Sequence, residues 1–198
     1  TQIVAGTTDG CASFLATGAS GAGQGVSALG TTLTLKILSD HPIFAPEYGI
    51  YSHRILGKWL AGGASNTGGT VLLAHFTADE IAALTPQIDP ETDTGLNYYP
   101  LPKPGERFPI ADPTLAPRLI PHPDNPATFL QGIFEGIAEI EALGYARLAQ
   151  LGAPPLQSVR SVGGGARNPK WSRIRARKLG VPLLEPQSDE AAFGTALL

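Results

Sequence analysis

The sequence has no methionine and only one cysteine, Cys11, in 198 residues. A lone cysteine excludes an intrachain disulfide framework and any zinc site built from cysteines. Charge is also sparse: charged residues make up 16% of the chain, and the formal net charge is -3. That balance argues against a strongly basic nucleic-acid binder and against an acidic tail protein. No run approaches the roughly 18 apolar residues of a spanning helix. The first residues carry no signal-peptide pattern, and there is no Asn-x-Ser/Thr sequon. These absences make a reducing, cytoplasmic compartment the expectation. The chain opens on Thr1, contains no Met, and stops inside an apolar helical pattern at residues 191–198. We therefore expect a piece of a longer protein.

What is present reads as one globular domain. Hydrophobic residues are 42% of the chain, and at this length a single core should bury about 70% of the unfolded surface. Gly (24) and Pro (18) are numerous, but they follow no collagen period and mark a loop-rich fold.

Residues 2–6 (QIVAG) read as a short strand ending in the polar turn Thr7-Thr8-Asp9-Gly10. Asp9 is placed to N-cap a helix over 10–17 that Gly18 ends. Residues 26–30 and 33–38 read as strands joined by the tight turn Gly30-Thr31-Thr32. A third strand is expected at 58–62, a helix at 70–76, and a capping box at Thr77–Glu80 opening the next helix. Residues 98–128 hold nine of the 18 prolines. They form no regular element, so they either wrap the surface or constitute a functional insertion. A helical stripe runs over 129–151, with Gly132 and Gly136 placed for close helix–helix approach; that face leaves either core packing or a homodimer open. Then come a strand at 158–162, the turn Gly163-Gly164-Gly165, a helix from near Asn168 to Gly180, a strand at 181–185, and a last helix capped by Ser188. The resulting order, β-β-β-α-β-α-β-α, points to an α/β domain with a mixed sheet and helices on its faces. It is the order of a ribonuclease-H-like (actin-like ATPase) lobe.

Several chemistries are excluded by missing motifs. There is no P-loop, no G-x-G-x-x-G fingerprint, no G-x-S-x-G and no H-E-x-x-H. The four histidines are scattered and offer no metal-ligand spacing. What stands out is three polar, Gly-rich turns, each directly after an expected strand: the Asp9 turn, Gly30-Thr31-Thr32, and residues 163–168. Ligands of open α/β sheets sit where strands end. Such turns present backbone N–H groups to anions, and a helix N-terminus adds partial positive charge. Asp9 is the one carboxylate in these turns. It is either a helix cap or a general base for a hydroxyl attacking a bound phosphate. Residues 167–178 carry six of the 14 basic residues. Trp171 and Ile174 read as the buried face there, with the charges on the solvated one.

At these residues the chain resembles the C-terminal domain of the FGGY carbohydrate kinases, and most of all their ribulokinase and xylulokinase-like branch. The motifs that carry the resemblance are TTDGCASFLATG (7–18), SALGTTLTLK (27–36), YSHR (51–54), GGASNTGG (62–69), YYPLPKPGERFP (98–109) and VGGGARN (162–168). The resemblance implies one lobe of a two-lobed kinase, with ATP and a sugar in the cleft between lobes. It implies Asp9 as the catalytic and substrate-binding base. Gly30, Thr31 and Thr32 would hold the phosphates, with Mg²⁺ on them. Gly164, Gly165 and Asn168 would take the adenosine, and Gly68 and Gly69 would face the nucleotide. The implied substrate is a ketopentose of the D-ribulose or D-xylulose type, and the implied partner is an N-terminal lobe that this chain lacks. Two other readings stay open at this point: a non-catalytic actin-like nucleotide-binding scaffold, and a nucleic-acid module using 167–178.

Overall fold

The chain's structure, a computed structural model, describes residues 6–198. The strand expected at residues 2–6 therefore lies almost wholly outside the described residues. The first described element is helix α1 (Asp9–Ala16). It begins one residue earlier than expected. Thr8 is its N-cap residue, and the Asp9 carboxylate does not cap it but accepts from the next backbone N–H, that of Gly10, at 2.7 Å.

Apolar residues alternate along β1 (Gln24–Leu29) and β2 (Leu33–Ser39), which pair antiparallel across the Gly30-Thr31-Thr32 turn. β3 (Tyr51–Ile55) and β4 (Lys58–Ser65) form a second antiparallel hairpin, and β4 pairs with β2. β3 was not expected as a strand. It is an edge strand whose side chains are mostly exposed or half-buried, so it shows no apolar alternation. β4 runs on through Gly62 and Gly63, where larger residues would not fit. A Cβ at Gly62 would stand 1.9 Å from the Leu35 carbonyl oxygen, and one at Gly63 would stand 2.4 Å from the Phe108 ring.

Helix α2 (Gly69–His75) follows, then α3 (Ala78–Leu84), opened by the expected capping box. The Thr77 hydroxyl accepts from Glu80 N at 3.2 Å, and the Glu80 carboxylate accepts from Thr77 N at 2.7 Å. The long helix α4 (Pro126–Gln150) starts three residues earlier than its apolar stripe predicts. Asn125 caps it, accepting from Ala127 N at 2.8 Å, and Pro126 fills the first turn. β5 (Ser158–Val162) pairs parallel to β1. α5 (Pro169–Leu179) ends on left-handed Gly180, and β6 (Leu183–Leu184) pairs parallel to β5. The last helix, α6 (Ala191–Thr195), is capped at Glu190. Ser188 sits in the preceding turn and accepts from Glu190 N at 3.1 Å, so the expected Ser188 cap is not formed.

The strands form one six-stranded mixed sheet in the order β3-β4-β2-β1-β5-β6. Pleating sends alternate residues to opposite faces. Leu29, Leu33, Leu35 and Ile37 join the main core with α4 and α5, while Val26 and Leu38 join a smaller core with Cys11, Phe14 and Leu15 of α1.

The proline-rich segment does more than wrap the surface. Phe108 is fully buried, wedged between Gly63 of β4 and Gly144 of α4, where any Cβ would stand within 2.7 Å of its ring. Gly132 and Gly136 admit this segment and not another helix: Cβ atoms there would meet Leu96, Tyr98 and Pro100. The buried Glu106 anchors it to the end of β4, accepting from Ser65 Oγ (2.6 Å), Asn66 N (2.7 Å) and Tyr99 Oη (3.2 Å).

Candidate functional site

The β1–β2 turn is tied to the start of α2 by the backbone. Gly69 N donates to Gly30 O at 2.9 Å and Thr70 N to Thr31 O at 3.1 Å, while the Thr70 hydroxyl donates to the same Thr31 oxygen at 2.9 Å. This approach requires glycine twice. Gly68 has φ +138°, and its Cβ would stand 2.8 Å from Thr32 Cα; a Cβ at Gly69 would stand 2.8 Å from Gly30 O. From the other side Gly163 and Gly165 close on Leu29, whose carbonyl oxygen would lie 2.7 Å from a Gly163 Cβ. Trp171 stacks on Phe134 with ring centroids 4.7 Å apart, and its indole N–H donates to the Phe134 carbonyl at 3.2 Å.

These segments line one cavity of about 470 Å³. Gly30, Thr31, Gly69, Gly164, Gly165 and Asn168 contribute its polar rim; Leu72, Ile81, Phe134 and Trp171 contribute apolar wall. Thr32 and Gly68 belong to the same backbone junction but do not line the cavity. Asn168 lines it with its side chain engaged. Its carbonyl accepts from Trp171 N at 3.0 Å, capping α5, and its amide donates to Thr85 Oγ1 at 2.9 Å. The residue therefore ties α5 to the end of α3 and holds the cavity's shape.

Asp9 is not in this cavity. It is exposed and lines a separate cavity of about 220 Å³ on the α1 face, with Gly10, Ser13, Ala28, Thr34, Lys36 and Val162. Ala28 lines this cavity, and the next residue, Leu29, lines the other. The two cavities thus open on opposite faces of the sheet at the end of β1, with the Gly30-Thr31-Thr32 turn between them.

Sequence reasoning missed Lys36. Its polar character is visible in an apolar strand, but burial is not. It is 7% exposed, and burial pushes its ammonium below the ordinary lysine range against the raising pull of Cys11 and Asp9. Burial, followed by the Lys36 charge, likewise lowers the neighbouring His53. The ion pair Glu141–Arg175 was also missed, because its partners lie 34 residues apart. Both side chains are fully buried, joined at 2.7 Å by Arg175 Nε and by one terminal guanidinium nitrogen. Arg175 thus departs from the expected solvated face. Other cations of 167–178 are also paired, Arg173 with Glu91 at 2.6 Å, Arg177 with Asp93 at 2.7 Å, and Lys178 with Glu139 at 2.6 Å. Among the described residues no cluster of three or more His, Cys, Asp or Glu forms a metal cage, and no helix is long and apolar enough to cross a membrane.

Comparison with known proteins identifies the family and the fold. The model of the FGGY family of carbohydrate kinases, C-terminal domain, matches residues 25–198. An autoinducer-2 kinase of Yersinia pestis (strain Pestoides F) is 36% identical over 80 residues, covering 40% of this chain and 15% of that protein. Among solved structures, a xylulose kinase from Bifidobacterium adolescentis superposes with a TM-score of 0.75 at 22% identity, over 95% of this chain and 38% of that one. A Plasmodium falciparum glycerol kinase with ADP gives a TM-score of 0.74 at 14% identity, over 96% of this chain and 40% of that one. At these identities the likeness is one of fold, the actin-like ATPase fold of such kinases. The chain spans less than half the length of each of these three kinases.

Proposed function

The chain belongs to the FGGY family of carbohydrate kinases, and on that premise we propose that it is the nucleotide-binding C-terminal lobe of an ATP-dependent sugar kinase acting on a ketopentose. The observation that carries this is the convergence of segments about 30, 69 and 164–165, far apart in sequence, on one cavity with an apolar wall. Its residues fit a nucleotide. Nothing lies within 4 Å of a Cβ position at Gly164, and at Gly30 only the Thr32 oxygen does, at 3.8 Å, so side chains there would fill ligand space. Apolar Leu72, Ile81 and Trp171 suit a base, and the backbone of the Gly30-Thr31-Thr32 turn suits phosphates. Mg²⁺ carried on the phosphates would offset their charge.

In this reading the triphosphate passes over the turn toward the α1 face. There the acceptor hydroxyl oxygen attacks the γ-phosphorus, the bond to the β-phosphate oxygen breaks, ADP leaves, and the Asp9 carboxylate takes the hydroxyl proton. An N-terminal lobe closing over both cavities would exclude water, the competing acceptor. The test is Asp9→Asn in the two-lobed kinase that carries this chain, assayed with D-ribulose and D-xylulose. The expected result is a kcat loss of about 10²–10⁴ with ATP affinity kept.

A second reading, a nucleotide-binding lobe without catalysis, draws on one observation: Asp9 lies outside both the nucleotide cavity and the matched stretch 25–198. It predicts ATP binding by the chain but no sugar-dependent turnover.

A further inference from the structure

The Asp9 cavity has a built polar wall. Asp9 and Ser13, four apart, share one face of α1. Thr34 and Lys36, two apart, share one face of β2. These two faces confront each other across the cavity of about 220 Å³. Lys36 is fixed by its strand, paired with Val26 on one side and Gly62 on the other. Its side chain reaches α1, with Nζ 3.7 Å from where a Gly10 Cβ would stand. The residue is 7% exposed, yet among the described residues its ammonium forms no hydrogen bond and no ion pair within 4 Å, Asp9 included. The stem is buried, while the ammonium nitrogen is not sealed from solvent and opens on the cavity, where water is its only partner. Here it faces a carboxylate that it does not touch, with a cavity at hand for a third group.

We propose that Lys36 is a substrate-binding residue that donates hydrogen bonds to an oxygen next to the reacting hydroxyl of a neutral polyhydroxylated acceptor, opposite Asp9. This rests on the reading of Asp9 as the base. A hydroxyl or keto oxygen accepts from the ammonium while the neighbouring hydroxyl donates to the carboxylate. One cation and one anion thus select acceptors with two adjacent oxygens. The same carboxylate disfavours acidic sugars. Thr34 and Ser13 supply further hydroxyls along the same wall.

The test uses Lys36→Met, which keeps the aliphatic stem and removes the charge. In the two-lobed kinase, steady-state kinetics are run with D-ribulose, D-xylulose and glycerol as acceptors. The expected result is an acceptor KM raised at least tenfold, an ATP KM changed less than twofold, and a thermal midpoint no lower than that of the parent. An acceptor KM within twofold of the parent overturns the proposal. So does a raised KM that comes only with a lowered thermal midpoint and a raised ATP KM, since that is general loosening. Asp9→Asn run beside it separates the two ideas. If Asp9→Asn is inactive and Lys36→Met is unchanged, only Lys36 is misassigned. If Asp9→Asn is active, or the parent phosphorylates none of the acceptors, the base reading falls and this inference with it.

Discussion

Glu141→Gln is a sharp test of how the cavity of about 470 Å³ is held. Glu141 on α4 accepts from Ser27 Oγ at 2.5 Å and from two nitrogens of Arg175 on α5 at 2.7 Å each. Both charged side chains are fully buried, and the third guanidinium nitrogen has no partner. The amide keeps the shape but removes the counter-charge and turns one acceptor into a donor facing donors. Breaking a buried pair from one side costs about 3–5 kcal/mol because the remaining charge is uncompensated. For a domain of this size each kcal/mol lowers the melting midpoint by about 2–4 °C, so a drop of roughly 6–20 °C is expected. Urea unfolding of the chain followed by circular dichroism measures this as a lower midpoint at constant slope. Glu141→Leu combined with Arg175→Met removes both charges, and its stability should return to within about 1 kcal/mol of the parent or exceed it. A Glu141→Gln loss under about 1 kcal/mol, or a double variant no better than the single one, would refute the argument. Because α5 carries Trp171 and is capped by Asn168, the single variant should also weaken ATP binding in calorimetry.

Two further predictions follow from glycine geometry and from Lys36. Gly164→Ala enters open space and should fold with unchanged stability while lowering ATP affinity in calorimetry, whereas Gly68→Ala, at φ +138° and 2.8 Å from Thr32 Cα, should cost about 1–3 kcal/mol in urea unfolding. For Lys36, burial lowers the folded-state pKa beneath its ordinary 10.5, so between those values the unfolded chain holds more protons and stability rises with pH. The difference in urea midpoint between the parent and Lys36→Met should therefore narrow from pH 7 toward pH 10; a constant difference would contradict it.

Local signals in the chain were readable where the physics is local. The Thr77–Glu80 capping box, the Asn168-Pro169 start of α5, left-handed Gly180 and the β1–β2 turn all act within a few residues. What was hidden depends on partners distant in sequence. Arg175 reads as one more surface cation until Glu141 is brought to it. Gly132 and Gly136 read as a helix-packing pair, but Tyr98 and Pro100 fill that space. β3 lacks alternation because it borders solvent. Of the candidate site residues, Gly30, Thr31, Gly69, Gly164, Gly165 and Asn168 meet in one cavity. Asp9 stands across the sheet from them, a separation that no local pattern encodes.

The pleat of β1 has a consequence for how such a protein can change. Ala28 and Leu29 are neighbours in the chain, yet one faces the cavity of Asp9 and the other the cavity of Trp171. Residue parity along a strand thus acts as an address. Under the assignment proposed above, exchanges at even positions, such as 28, 34 and 36, would retune which alcohol is accepted, and exchanges at odd ones, such as 29, would reshape the phosphate donor's seat. Selection could then diversify one cavity while the other stays as inherited.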